Sequence, residues 1–169
     1  NVNEDSWALI RGLMVSALFP DIAHPIVLFN GIQGSGKTTA AKFIMGIFDA
    51  SPVPVESVPL DLQQWAVRAT AGWTIVVDNV SRIAEWFSEA LCRACTGDGM
   101  VRRELFTSSG LAVLVFRRVV ALTSIDPGAL RGDLGERLLM VDMEEIAPEQ
   151  RRDELELVAM YESARPRIL

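Results

Sequence analysis

The sequence predicts an α/β fold in which helices cover both faces of a parallel β-sheet, and three observations indicate it. Apolar runs typical of buried strands alternate along the chain with segments of helical periodicity. A glycine-rich pattern, G-x-x-x-x-G-K-[ST], occupies Gly31–Thr38 and directly follows the apolar run Ile26–Phe29. The chain has 169 residues and is 50% apolar, which is enough for one domain with a sizeable core. One compact domain is therefore the expectation.

Apolar runs bounded by turn residues predict the strands. The first leads into the glycine-rich pattern, and Pro59 closes the second. The predicted strands are Ile26–Phe29, Val55–Val58, Thr74–Asp78, Val119–Thr123 and Arg137–Asp142. Two further segments, Val101–Phe106 and Leu111–Phe116, flank Thr107–Gly110, which predicts a β-hairpin inserted between two strands of the sheet.

Periodic apolar positions and capping residues predict the helices. They predict a first helix that is capped by Ser6 or Asp5 and ends at Phe19–Pro20. The other predicted helical segments are Thr39–Phe48, Leu62–Thr70, Arg82–Cys95, Ala129–Glu136 and Glu149–Ser163. We expect residues 1–20 to form an N-terminal packing helix, residues 21–147 the core, and residues 148–169 the start of a C-terminal helical lid. Because the sequence stops at Arg165–Leu169, which resembles the start of another element, we expect this lid to be truncated.

Composition narrows the classes of partner. A net charge of −6 argues against a surface that coats nucleic acid by overall electrostatics, although the pairs Arg102–Arg103 and Arg117–Arg118 leave local phosphate contacts open. The apolar stretch Leu111–Phe116 is far shorter than the roughly 18 to 20 residues that cross a bilayer. The expectation is a cytoplasmic protein with no membrane partner.

The two cysteines, Cys92 and Cys95, are spaced C-x-x-C in a helical segment. Because His24 is the single histidine, the chain cannot assemble a tetrahedral zinc site from these residue types. Packed helix cysteines in a reducing compartment are favoured over a redox dithiol.

The glycine-rich pattern predicts a phosphate-binding loop. Its three glycines permit turns that point successive N–H groups at the β- and γ-phosphates of a nucleotide. Lys37 then neutralises charge, and Thr38 offers its hydroxyl to Mg²⁺. The predicted nucleotide-binding residues are Gly31, Gln33, Gly34, Ser35, Gly36, Lys37, Thr38 and Thr39.

Asp78 ends a predicted buried strand about forty residues after the loop. Its carboxylate is expected to hold the Mg²⁺ shell through water, so Thr38 and Asp78 form the predicted metal site. The next residue, Asn79, cannot accept a proton, although its amide can orient a water. Hydrolysis is therefore either slow or depends on another carboxylate as the general base. The nearest carboxylates in sequence are Glu85, Asp98 and Glu104.

Three further residues are candidates for catalysis. Thr123 stands at the carboxyl end of a predicted strand, where its hydroxyl either senses the γ-phosphate or the attacking water, or satisfies local backbone groups. Arg131 and Arg137 follow that strand and are candidates to reach the site of a neighbouring subunit and stabilise transition-state charge. Local salt bridges with Asp133, Glu136 or Asp142 are the alternative.

In this order of motifs the chain resembles the AAA+ class of P-loop ATPases. More narrowly, it is similar to the superfamily 3-like helicase ATPase domain of phage and mobile-element primase-helicase proteins. That similarity rests on the phrases Val77–Ser81, Ala90–Gly99, Arg103–Thr107 and Ala164–Leu169. The resemblance implies a three-layer P-loop NTPase with a five-stranded parallel sheet, in which the Asp78 strand is not adjacent to the loop strand. It also implies ATP and Mg²⁺ as ligands, a ring-shaped homo-oligomer, and DNA contact through the hairpin at residues 101–118.

The leading functional hypothesis is a Mg²⁺-dependent ATPase domain of an oligomeric DNA helicase or replication motor. Asn79 and Thr123 depart from the acidic residue and the asparagine usual at these positions of the class. The alternative is therefore a nucleotide-gated switch or assembly scaffold with weak hydrolysis. A small-molecule phosphotransferase is disfavoured because the sequence shows neither an acceptor site nor a mobile lid between the strands.

Overall fold

The computed structural model describes residues 1–98, 100–103 and 111–168, and for residues 100–103 and 111–114 it describes the backbone alone. The strands are β1 (Ile26–Asn30), β2 (Thr74–Val77), β3 (Met100–Arg103), β4 (Leu111–Leu114), β5 (Val119–Ser124) and β6 (Leu138–Asp142). The helices are α1 (Glu4–Ser16), α2 (Lys37–Gly46), α3 (Leu62–Ala71), α4 (Glu85–Thr96), α5 (Gly132–Gly135) and α6 (Glu154–Ala164), with short 3₁₀ turns at Pro148–Gln150 and Arg165–Arg167.

The main sheet has four strands in the order β2-β5-β1-β6, and every neighbouring pair is parallel. Strand β5 lies between β1 and β2, so the expectation that the Asp78 strand is not adjacent to the loop strand is confirmed. The carboxyl ends of the strands meet at one edge, which we call the carboxyl edge of the sheet. Ligands of open parallel sheets bind at this edge.

The expectation of a five-stranded sheet is wrong for the described residues. The predicted strand Val55–Val58 contributes a single bridge, between Glu56 and Val77. The Glu56 N–H donates to the Val76 carbonyl at 3.0 Å, and the Asp78 N–H donates to the Glu56 carbonyl at 2.8 Å. Pro54 lies two residues before Glu56, and because proline has no N–H donor, the ladder cannot extend in that direction.

Strands β1, β2 and β5 are buried on both faces, as their apolar runs predict, whereas the edge strand β6 is partly exposed. Ile26, Leu28 and Ile75 face one core, which is completed by α3 and α4. Their neighbours Val27 and Phe29 face the second core, which is completed by α1 and α2. The two cores and the sheet between them form the expected three layers, with helices on both faces. No described helix has the length and apolar content that a membrane span requires.

The inserted hairpin is present as the antiparallel pair β3–β4, in which Met100 pairs with Leu114. It forms its own two-stranded sheet, separate from the main one. Residues 104–110, which include the predicted turn Thr107–Gly110, lie outside the described residues. The hairpin runs from the end of α4 to the start of β5, so it joins the main sheet at the amino edge, opposite to the glycine-rich loop.

Two arginines fix the base of the hairpin to the ends of helices. The Arg117 guanidinium donates to the Thr96 carbonyl at the end of α4, at 3.0 and 3.2 Å, and to the Pro20 carbonyl at 3.1 Å. The Arg118 side chain donates to the Ala69 carbonyl in the last turn of α3 at 2.5 Å. Cations are favourable at helix carboxyl ends, where carbonyl groups lack partners. This pair therefore has a structural role in the fold, which leaves Arg102 and Arg103 as the other candidates for phosphate contacts.

Helix α6 begins five residues later than the sequence predicts. The pattern favoured a start after Pro148, but Pro148 begins a 3₁₀ turn and the α-helix begins at Glu154. The Asp153 carboxylate accepts the Leu155 N–H at 2.9 Å and caps the helix. The helix then packs outside α2, where the Tyr161 ring is stacked on Phe43 with centroids 4.4 Å apart.

Candidate nucleotide-binding site

The glycine-rich loop connects β1 to α2 at the carboxyl edge of the sheet. Gly34 and Gly36 adopt φ values of +83° and +79°, a conformation that residues with a Cβ rarely adopt. At Gly31 the reason for glycine is a close approach, because a Cβ there would lie 2.5 Å from the Met143 carbonyl oxygen. The loop therefore has the turns that the motif predicts.

Lys37 lies along the loop in this structure. Its Nζ donates to the carbonyl oxygens of Gly31 and Ile32, each at 2.7 Å. Burial lowers the pKa of Lys37 from its ordinary value, and the nearby Asp78 carboxylate opposes this shift. The ammonium is thus held at the loop by neutral carbonyl groups, which it can exchange for the oxygens of an anionic ligand.

A cavity of about 460 Å³ opens beside the loop. Its lining combines the loop, the start of α2, the turn after β2 and the end of β5: Gln33, Gly34, Gly36, Lys37, Thr38, Thr39, Asp78, Asn79, Thr123 and Ile125. Six of the eight predicted nucleotide-binding residues are in this set. The other two support the loop, since Gly31 lies against the Met143 carbonyl and the buried Ser35 hydroxyl donates to the Ile32 carbonyl at 2.9 Å.

The predicted metal ligands lie side by side. The Thr38 hydroxyl donates to Oδ1 of Asp78 at 2.7 Å, although 40 residues separate them in the chain. A hydroxyl and a carboxylate are hard oxygen ligands of the kind that Mg²⁺ prefers, usually together with several waters and substrate phosphates. The donor set and its position beneath the loop therefore fit Mg²⁺.

Asn79 has an uncommon backbone conformation. Its φ is +57°, and it is the one residue other than glycine with a positive φ in the described chain. Its N–H donates to the Thr123 hydroxyl at 2.9 Å, and its side chain is exposed at the cavity. Asparagine is among the few residue types enriched in this left-handed conformation.

The candidates for a catalytic carboxylate do not lie at this cavity. Glu85 forms an ion pair with Arg131 on the exposed surface. Asp98 accepts a hydrogen bond from the Thr96 hydroxyl at the far end of α4, near the amino edge of the sheet. Glu104 lies outside the described residues. Among the residues that line the described cavity, Asp78 is the sole carboxylate.

Arg131 and Arg137 also lie away from the cavity lining. Arg131 is exposed and forms ion pairs with Glu85 and, at 3.8 Å, with Asp133. Arg137 is half-buried, and its guanidinium donates to the Asp133 carbonyl at 2.5 Å. Of these contacts, the Arg131–Asp133 ion pair is one of the local salt bridges that the sequence left as an alternative. Neither arginine lines the described cavity of its own chain.

Sequence reasoning missed the segment that follows β6. The Met143 N–H donates to the Asn30 carbonyl at 2.7 Å, and Ile146 packs against Gly36. The Arg151 guanidinium lies against Gly34, so close that a Cβ on Gly34 would be 2.9 Å from Nη2. No motif marks these residues, because their contacts with the loop arise from the fold.

The glycine-rich loop connects β1, an inner strand of the parallel sheet, to α2, and the hydrogen-bonded pair Thr38 and Asp78 lies next to it. This arrangement defines a P-loop NTPase fold. The chain belongs to the family of actinomycete integrative conjugative element replication proteins, whose family model matches residues 2–169. The family confirms the mobile-element part of the expectation.

Solved structures with a similar fold include several helicases and motors. JCV helicase is 15% identical with a TM-score of 0.54, over 95% of this chain and 46% of the helicase. The Thermotoga maritima RuvB Holliday junction branch migration motor is 16% identical with a TM-score of 0.55, over 88% of this chain and 48% of RuvB. The apo C-terminal region of NrS-1 is 12% identical with a TM-score of 0.56, over 98% of this chain and 44% of that region.

At these identities the likeness establishes the fold alone. The chain spans less than half the length of these three structures. No curated protein sequence matches the chain.

Proposed function

We propose that the chain is the ATP-binding and ATP-hydrolysing domain of an oligomeric DNA replication motor from an integrative mobile element. The observation that carries the proposal is the hydrogen bond of 2.7 Å between Thr38 and Asp78, directly beneath a P-loop with the expected turns. Motif and fold together bring the phosphate ligands and the metal ligands to one cavity. The family and the helicase neighbours support the assignment to replication.

In this proposal each residue of the site has a defined role. The loop N–H groups and Lys37 bind the β- and γ-phosphates, with Gln33, Ser35 and Thr39 completing the loop and its helix start. Thr38 and Asp78 hold Mg²⁺, which offsets phosphate charge when it is bound. Asn79 is exposed at the cavity, where its amide orients the attacking water.

The proposed assembly is a ring-shaped homo-oligomer of superfamily 3-like type in the full-length protein, acting in the cytoplasm. The hairpin at residues 101–118 contacts DNA, and an arginine of one subunit acts at the site of the next. Residues 1–20, 21–147 and 148–169 serve as packing helix, ATPase core and the start of a lid. The fold that the chain shares with JCV helicase and the RuvB branch migration motor supports this arrangement.

A nucleotide-gated switch or assembly scaffold is the second candidate, and a specific observation favours it. Asp78 is the sole carboxylate of the described cavity, and it is already bound to Thr38 and Thr123. With Asn79 next to it, the chain offers no free general base in its own described site. Binding without turnover would follow from this composition.

ATP turnover with Mg²⁺, measured over a range of protein concentrations with and without single-stranded DNA, tests the proposal. We expect turnover that rises with both, and we expect Lys37→Ala to abolish it together with ATP binding. Lys42→Ala is the matched control, because Lys42 lies on the same helix and forms a long surface ion pair with Glu154 at 3.9 Å.

The outcomes separate the two candidates. Retained ATP binding in the Lys37→Ala variant would contradict the site. ATP binding without turnover at every concentration, with or without DNA, would replace the motor with the nucleotide-gated switch.

A further inference from the structure

Thr123 is bound on both sides by the turn that follows β2. Its hydroxyl donates to Oδ1 of Asp78 at 2.5 Å and accepts the Asn79 N–H at 2.9 Å. The side chain is buried, with 1% of its surface exposed. One hydroxyl thus joins the metal-binding carboxylate to the residue beside it.

The two hydrogen bonds of the Thr123 hydroxyl leave it without a free hydrogen to donate to a phosphate. A hydroxyl has one hydrogen to donate, and the hydrogen of Thr123 is directed at Asp78. The terminal oxygens of a bound nucleotide are acceptors, so Thr123 would have to release Asp78 before it could bond to them. Thr123 borders the cavity, but only 1% of its surface is exposed, so its side chain presents little surface to a phosphate or a water.

The backbone at the end of β5 extends the same connection. The Thr123 carbonyl accepts the Val80 N–H at 2.8 Å, and the Ser124 hydroxyl donates to the Val80 carbonyl at 2.5 Å. The Ser124 carbonyl accepts the Gly31 N–H at 3.2 Å. Two consecutive residues of β5 therefore hold both the turn after β2 and the first residue of the phosphate loop.

The uncommon conformation of Asn79 depends on this support. A residue with a Cβ in the left-handed region costs energy unless local bonds offset it. The Asn79 N–H finds its partner in the Thr123 hydroxyl, and the Val80 N–H finds its partner in the Thr123 carbonyl. Without the hydroxyl, the Asn79 N–H would lose its partner at a partly buried position.

We propose that Thr123 is a positioning residue, which fixes the carboxylate of Asp78 for the metal and the backbone of Asn79, and that it does not sense the γ-phosphate. This inference rests on the proposed nucleotide site. It predicts that loss of the hydroxyl weakens metal binding, because a partner that orients a metal-binding carboxylate typically changes metal affinity by about 10- to 100-fold. Nucleotide binding without metal depends on the loop and stays unchanged.

The test compares Thr123→Val, which keeps the shape and removes the hydroxyl, with Thr123→Ser, which keeps the hydroxyl. Thr74→Val is the matched control, because Thr74 is a buried threonine of the adjacent strand β2 outside the described cavity. Binding of fluorescent methylanthraniloyl-ADP is measured without metal and across a Mg²⁺ titration. We expect the Mg²⁺ midpoint to rise about 10-fold in Thr123→Val and to stay at the wild-type value in the other two variants.

Hydrogen exchange of the Asn79 amide in the nucleotide-free chain gives a second measurement that needs no ligand. Thr123→Val should accelerate exchange at Asn79, and Thr123→Ser should not. An unchanged Mg²⁺ midpoint in Thr123→Val, together with slower ATP turnover, would overturn the positioning role and indicate direct sensing. A wild-type chain that binds no nucleotide would instead overturn the proposed function, and with it the metal-binding role of Thr123.

Discussion

Asn79 shows how backbone geometry restricts the residue type at a predicted catalytic position. Its φ of +57° lies in the region that asparagine tolerates better than glutamate does. A glutamate, the usual acidic residue here in the class that the chain resembles, would have to adopt the same strained conformation. The local backbone conformation therefore explains why asparagine suits this position better than an acidic residue. The sequence alone shows that the acidic residue is absent but does not explain it.

His24 is a buried residue with a predictable effect on stability. One per cent of its surface is exposed, its ring meets Trp73 edge-on at 5.3 Å, and neither ring nitrogen has a hydrogen-bond partner among the described residues. Burial lowers the pKa of His24, and the charge of Arg117 lowers it further. The folded chain therefore holds this histidine neutral.

The sign of the pH dependence follows from that shift. In the unfolded chain the pKa is about 6.5, so as pH falls the unfolded state takes up the proton first. The contribution of His24 to stability is complete above about pH 6.5 and is lost as pH falls through the lowered pKa. We expect urea unfolding at pH 7.5 and pH 5.0 to show a larger loss for the wild type than for His24→Phe. Equal losses in the two proteins would contradict the assignment.

The residues of the site differ in how far the sequence predicts them. Lys37, Thr38 and Asp78 follow from a motif and a strand end, because a P-loop requires those residue types at those places. The contact of Thr123 with Asp78 joins residues 45 positions apart, and the contact of Arg151 with Gly34 arises across the fold. Such contacts are set by tertiary packing, and no spacing of residues in the sequence predicts them.

At the scale of the element, one aromatic pair contributes to the packing of α6 on α2, beside the long surface ion pair between Lys42 and Glu154. The rings of Tyr161 and Phe43 are parallel within 4°. The Tyr161 hydroxyl lies so close to Gly46 that a Cβ on Gly46 would be 2.9 Å from it. Glycine at this point of α2 thus admits the tyrosine, and the pair fixes where α6 lies.

Tyr161→Ala should loosen α6 while the sheet stays folded. The lost pair contributes about 0.5 to 1.5 kcal/mol beyond its buried area. Arg151 and Arg152 precede the helix, so limited trypsin digestion should cut there faster in the variant. Leu155→Ala is the control, because Leu155 lies on the same helix and is 80% exposed. Equal digestion of Tyr161→Ala and the control would show that the pair does not hold the helix.

Boundaries of elements proved harder to predict than the elements themselves. The parallel strands β1 and β5 appear where apolar runs predict them, because burial on both faces requires such runs. Strand β6 also appears where it is predicted, although it lies at the edge of the sheet and is only partly buried. The strand predicted at Val55–Val58 forms only one bridge among the described residues, and Pro54 offers no N–H to extend it. Pro148 favoured a helix start, yet Asp153 supplies the cap that begins α6. In both segments the sequence contains two local signals, an apolar run beside a proline or a proline before a capping aspartate, and the prediction followed the wrong one.

At the scale of the whole molecule, Arg131 is better placed than Arg137 to serve a neighbouring subunit. Arg131 is exposed and its partner Glu85 is exposed as well, so their ion pair is of the kind that contributes little and can be exchanged. Arg137 is half-buried and bound to the Asp133 carbonyl of its own chain. The exposure and contacts of the two arginines thus distinguish them, whereas the sequence made both equally good candidates to act at a neighbouring site.

This distinction predicts complementation between inactive variants. If an arginine acts across a subunit boundary, mixing Lys37→Ala with Arg131→Ala should restore part of the ATP turnover that each variant lacks alone. Turnover is restored where the nucleotide site of an Arg131→Ala subunit lies next to Arg131 of a Lys37→Ala subunit. Mixtures of Lys37→Ala with Lys37→Gln provide the control, since no intact site can form in them. Absence of recovery in the first mixture would argue against Arg131 acting between subunits.

The hairpin that joins at the amino edge of the sheet has an evolutionary consequence. Its two described strands pair with each other and not with the main sheet, while Arg117 and Arg118 anchor its base to α4 and α3. Replacement of residues within 100–114 therefore leaves the ladder of β1, β2, β5 and β6 intact. If the hairpin contacts DNA as proposed, substitutions in it can change those contacts without disturbing the strands that hold the proposed nucleotide site, as long as the two anchoring arginines are kept.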